Sequence, residues 1–81
     1  MDVDNLIEMA NRIGEFFDSM PDRAEAVDSV ADHIRRFWEP RMRIAILAVL
    51  DNPEASAAME PIVREALEMH KADLQPKTAP A

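Results

Sequence analysis

The chain has 81 residues, a net charge of −7 and no Cys. That length allows one domain, which buries only about 60% of its unfolded surface, and leaves no room for a substrate domain beside a cofactor domain. The missing Cys excludes disulfides, thiol nucleophiles, thiolate zinc sites and iron–sulfur ligation, while the acidity disfavours nonspecific contact with nucleic acid or anionic lipid.

A single Gly, many Ala, Leu, Glu and Met, and little alternation of apolar with polar residues predict an all-α fold. The expected form is a small bundle of three main helices plus a C-terminal helix over residues 1–74, followed by a disordered tail at 75–81. The N-terminal string MDVDNLIEM lacks the basic-then-apolar order of a signal peptide, which fits a cytoplasmic location. The longest apolar run, Ile44 to Leu50, is seven residues, against the roughly twenty that span a membrane. A core this small makes support from a partner, or a homo-oligomer, a reasonable expectation.

The first predicted helix covers Asn5 to Ser19, with Asn5-x-x-Glu8 as its capping box. Leu6, Met9, Ala10, Ile13, Phe16, Phe17 and Met20 share its apolar face at three- and four-residue spacing, with Glu8, Asn11, Arg12, Glu15 and Asp18 opposite. Gly14 lies at the stripe's edge. It costs about 1 kcal/mol of helix propensity, which points to close approach of another helix.

A second capping box, Asp22-x-x-Glu25, opens a helix that ends near Trp38. Its apolar face is Val27, Val30, Ala31, Ile34 and Trp38, with Phe37 at the border. So short a connection predicts that the first two helices pack as an antiparallel hairpin.

Pro40 suits the first turn of a third helix, running to Leu50. Met42, Ala45, Ile46 and Val49 cover one side; Ile44, Leu47, Ala48 and Leu50 cover the other. A helix apolar all round needs cover all round, from a fourth helix or from another chain. Residues 53–59 read as a turn or short helix. Pro61 opens a fourth helix to about Ala72, with Ile62, Val63, Ala66, Leu67 and His70 on one face and Met69 and Leu74 at its borders.

The residue inventory argues against catalysis. Gly14 stands alone, so no loop can cradle a phosphate. His33 and His70 fall on different helices, without a metal-binding spacing. Ser19, Ser29 and Ser56 have no histidine placed to activate them. No catalytic, cofactor-binding or metal-binding residue is assigned.

The informative stretch is Val27 to Arg43, VDSVADHIRRFWEPRMR, which holds the sole Trp, one Phe, one His and four of the nine basic residues. Residues 1–32 carry nine acids against two bases, residues 33–43 four bases against one acid, and residues 44–81 six acids against three bases. A basic, aromatic island in an acidic chain suggests a docking surface, because Trp and Arg are enriched where interfaces carry their binding energy. Trp38 also reads as a core anchor, and the arginines as solvated or internally paired charges. Arg35 and Arg36 project about 100° apart, Arg35 flanking the core stripe and Arg36 pointing away from it. Arginine forks suit carboxylates and phosphates alike.

The strings MANRIGEFF (Met9–Phe17), MPDRAEAV (Met20–Val27), HIRRFWEPRMR (His33–Arg43) and PIVREAL (Pro61–Leu67) resemble the delta subunit of the soluble NAD-dependent formate dehydrogenases that use molybdenum or tungsten. The resemblance spans roughly residues 1–74; the stretch DNPEASAAM (Asp51–Met59) does not take part. It implies an accessory subunit of a bacterial cytoplasmic complex. An alpha subunit carries the bis-pterin metal centre and iron–sulfur clusters, and beta and gamma subunits pass electrons through clusters and FMN to NAD. The resemblance assigns no redox cofactor to the small subunit itself.

The expected function is therefore docking on the catalytic alpha subunit and support of its assembly or stability, with neither nucleic acid nor membrane as partner. The expected partner-binding residues are His33, Arg35, Arg36, Phe37, Trp38, Arg41 and Arg43, with Ile44 and Leu47 as apolar support from the outer side of the third helix. Phe37 and Trp38 would be anchors, and Arg36 and Arg43 would point outward. Two other readings stay open. One is a transient maturation chaperone that binds the apo-subunit or its pterin cofactor and then leaves, with arginines able to hold the cofactor's phosphates; the other is a helical adaptor or homodimer unconnected with formate.

Overall fold

The computed structural model describes residues 2–76. Those residues form six helices and no strand: α1 (Val3–Phe17), α2 (Arg23–Phe37), α3 (Pro40–Val49), α4 (Pro53–Ser56), α5 (Pro61–Met69) and α6 (Lys71–Leu74). The all-α expectation holds, with α4 and α6 as single turns. Of the tail expected at 75–81, residues 77–81 lie outside the described residues.

Sequence sets the ends of these helices. Asp22 caps α2 by accepting from the Glu25 amide at 3.2 Å, as its capping box predicts. Asn52 caps α4 by accepting from the Glu54 and Ala55 amides. Pro40, Pro53 and Pro61 each occupy a first turn, where a missing N–H costs nothing. The α1 cap differs from expectation. Asp2, not Asn5, is the cap residue, and its carboxylate accepts from the Asn5 amide at 3.3 Å. The helix thus begins about one turn earlier. Glu8 pairs forward with Arg12 at 2.9 Å instead of reaching back.

The core is aliphatic, with one aromatic. α1 contributes Leu6, Ile7 and Ala10; α2 contributes Ala26, Val27, Val30, Ala31 and Ile34; Trp38 follows at the end of α2. Ile46, Leu47 and Val49 come from α3, and Met59, Ile62, Val63, Ala66, Leu67 and Leu74 complete it. The α1 stripe is rotated from the expected one. It is centred on Ile7, Ala10 and Gly14, so Met9, one step of about 100° from Ala10, and Phe16, two steps from Gly14, face outward. Gly14 sets the rotation. A Cβ there would lie 2.7 Å from Val63 Cγ2 and 2.9 Å from Ile62 Cγ2, so the absent side chain is what lets α5 approach.

Asn11, expected on the solvent face, is half-buried. Its amide donates to the Ala58 carbonyl at 3.0 Å and accepts from the Glu60 amide at 2.8 Å. It therefore fixes the turn between α4 and α5 to α1. The last predicted helix is broken at His70, where the backbone leaves the helical region (φ −110°, ψ 22°). His70 Nε2 lies 2.8 Å from Asp28 Oδ1 of α2. The break swings Leu74 into the core and leaves Met69 exposed.

Candidate functional site

Of the nine residues expected to meet a partner, the structure leaves five exposed, half-buries His33 and Arg43, and puts two in the core. Trp38 is only 6% exposed and packs with the α2 stripe, as its i+4 relation to Ile34 dictates. That is the place its reading as a core anchor expects, and it leaves the indole little surface to offer a partner. Leu47 is 4% exposed and also belongs to the core; α3 turns it inward together with Ile46. The outer side of α3 is Ile44, 51% exposed, and Ala48.

Phe37 is 71% exposed, at the last turn of α2. Its ring centroid lies 4.8 Å from that of His33, one turn back. His33 in turn lies 6.3 Å from Phe17, and Phe17 packs edge-on against Phe16 at 5.0 Å. Four rings from two helices thus form a continuous row. Its ends, Phe16 (74% exposed) and Phe37, stand out in solvent, while Phe17 and His33 are half-buried between them. Sequence reading places Phe16 and Phe17 in the core stripe; Phe17 does pack against the core, whereas Phe16 stands at the surface. The only signal was that a stripe centred on Gly14 excludes Phe16.

The arginines do not converge. Arg35 Nη2 and Arg36 Nε bind opposite oxygens of Asp32, both at 2.9 Å. The hydrogen bond from Arg35, then that from Arg36, holds the Asp32 carboxyl below its ordinary range. Arg41 is exposed in the first turn of α3. Arg43 departs from its expected outward position: it is half-buried, and its Nε is buried without a hydrogen-bond partner among the described residues. It lines an open groove of about 910 Å³ with Asp32, Arg35, His70 and Leu74. Cations and carboxylates are mixed in that groove, so it presents no single charge to a ligand.

A second, smaller groove of about 350 Å³ runs over Ile44, Leu47 and Ala48 of α3 to Lys71. His33 and His70 serve separate contacts, the ring row and the Asp28 pair. Among the described residues no group of three or more His, Asp or Glu is placed to hold a metal ion, and no helix is long and apolar enough to cross a membrane.

The geometry is that of a small helical body with one aromatic row and nearby arginines. Residues 5–67 match the family model described as NADH-dependant formate dehydrogenase delta subunit FdsD. No curated protein and no solved structure matches the chain.

Proposed function

The chain belongs to the FdsD family of NADH-dependent formate dehydrogenase delta subunits, and from that membership we propose that it is a non-catalytic accessory subunit. It docks on the catalytic alpha subunit of the cytoplasmic complex, where alpha, beta and gamma subunits carry the metal, iron–sulfur, flavin and NAD chemistry, and it supports assembly or stability there.

The observation that carries the reading, beside family membership, is the division of labour among the aromatics. Trp38 is spent on the core, while Phe37 and Phe16 are exposed. An isolated exposed Phe needs no explanation, but a connected aromatic surface marks an interaction site. The absence of Cys from the sequence agrees with a role outside the electron path.

The alternative of a chaperone that grips cofactor phosphates receives less support. Arg35 and Arg36 share one carboxylate, and Arg43 is turned into a groove that also holds acids. Phosphate capture calls for converging, unneutralised forks. Purifying the complex through a tag on the catalytic subunit tests the proposal. A permanent subunit remains at one copy per catalytic subunit in the active enzyme; loss of the chain from the active fraction would overturn docking as a lasting role.

A further inference from the structure

We infer that the row Phe16–Phe17–His33–Phe37 is the primary contact, and that it receives an apolar segment flanked by carboxylates on the catalytic subunit. This rests on the docking reading above and adds to it a surface built from two helices and a chemistry for the partner.

The first argument is where the chain puts its phenylalanines. All three Phe of the sequence lie in this row; Phe17 packs against the edge of the core, and Phe16 and Phe37 stand outside it. The core is completed by aliphatic side chains and Trp38. A Phe buries on the order of 150–250 Å² when covered, so a small protein that needs core area gains most by turning Phe inward. Here each Phe remains at least partly outside, and among the described residues the two end rings are the most exposed large apolar side chains.

The second argument is rigidity. The four rings are stacked edge to face or tilted, at centroid spacings of 5.0, 6.3 and 4.8 Å. They stand on two helices packed against each other, α1 and α2. A preformed row loses little side-chain entropy on binding.

Charge selects the occupant. The row's α2 half lies in the stretch 33–43, the one region with an excess of bases, in a chain of net charge −7. Arg36 adjoins Phe37; its Nε pairs with Asp32 at 2.9 Å, yet its side chain stays 64% exposed, and a solvent-exposed pair of this kind is weak enough to be exchanged for a partner's carboxylate. Arg41 follows four residues after Phe37, so chain length alone keeps their Cα atoms within about 14 Å. Arginines beside aromatic anchors favour a segment with Asp or Glu beside its apolar side chains. A second copy of this chain is disfavoured, because each copy carries −7.

The test uses the full chain and a formate dehydrogenase complex purified without it. The Phe16→Ser, Phe37→Ser double variant changes two exposed positions, so its helical signal and melting temperature stay at wild-type values. Its affinity for the complex falls about tenfold or more, as for loss of interface anchors. Arg36→Glu weakens binding as well, and wild-type affinity drops as salt rises.

Wild-type affinity for the double variant overturns this inference and leaves the docking reading standing. Failure of the wild-type chain to bind the complex at all overturns the docking reading and the inference with it. Affinity that ignores both salt and Arg36→Glu overturns the acidic partner segment. A wild-type chain that sediments as a dimer, with a monomeric double variant that still binds the complex normally, assigns the row to self-association and overturns the proposal.

Discussion

Gly14 of α1 and Val63 of α5 are in such close contact that a Cβ on the glycine would stand 2.7 Å from Val63 Cγ2. The glycine's backbone is helical, with no positive φ, so space and not conformation demands it. The atoms it would meet are γ-methyls of two β-branched side chains, Val63 and Ile62, which have little freedom to move aside.

Gly14→Ala should therefore destabilise the fold, although alanine is the better helix former. Overpacking costs about 1–3 kcal/mol, against a propensity gain of about 1 kcal/mol. A chemical melt of the variant checks the sign. A midpoint above wild type would mean that α5 can shift without loss, and that the contact does not set the register of α1.

Asn11 is the second long-range tie. Asn11→Ala removes both the acceptor for the part-buried Glu60 amide and the donor to the Ala58 carbonyl. Leaving the part-buried Glu60 amide unsatisfied costs about 1–3 kcal/mol. Hydrogen exchange should accelerate at the Glu60 amide before it does at the α2 core amides; unchanged exchange at Glu60 would show that water replaces the side chain there.

Trp38 and Phe37 are neighbours with opposite expected effects. Trp38→Ala should cost about 3–5 kcal/mol, the range for truncating a buried aromatic. Phe37→Ala should leave the melting temperature of the free chain nearly unmoved, since that ring is 71% exposed. Equal losses from the two variants would contradict the division between fold and surface.

This pair also shows what the sequence disclosed. The 3.6-residue period places Trp38 on the α2 stripe and Phe37 at its border; the cap at Asp22 marks where that helix begins, and Pro40, first residue of α3, marks the limit beyond which it cannot run. The same period misread α1. Leu6, Met9, Ala10, Ile13 and Phe16 form a plausible stripe, but Gly14, which has no side chain to count, decides which side α5 covers. Periodicity weighs side chains and is blind to the space left by one that is missing. Phe16 was thereby assigned to the core, and the four-ring row could not be assembled from sequence. Nor could the break at His70, which depends on a contact to Asp28 forty-two residues away.

Asp32 gives a pH-dependent prediction. Its carboxyl titrates below the ordinary range because Arg35, then Arg36, hydrogen-bond to its charged form. A folded-state value below the unfolded one means that the stabilisation is present above the unfolded value. It is lost as pH falls through the folded one. Carboxyl NMR should place the Asp32 midpoint below those of exposed aspartates, and Arg35→Gln with Arg36→Gln should raise it. A midpoint indifferent to both arginines would remove them as the cause.

The proposed docking on the catalytic subunit of a formate dehydrogenase puts positions 16 and 37 at the contact. Cross-linking of the assembled complex, with a photoreactive residue at position 37 and a second sample carrying it at position 16, tests this most directly. Docking through the ring row yields adducts between this chain and the catalytic subunit from both positions. Adducts confined to the beta or gamma subunit, or to a second copy of this chain, would contradict it.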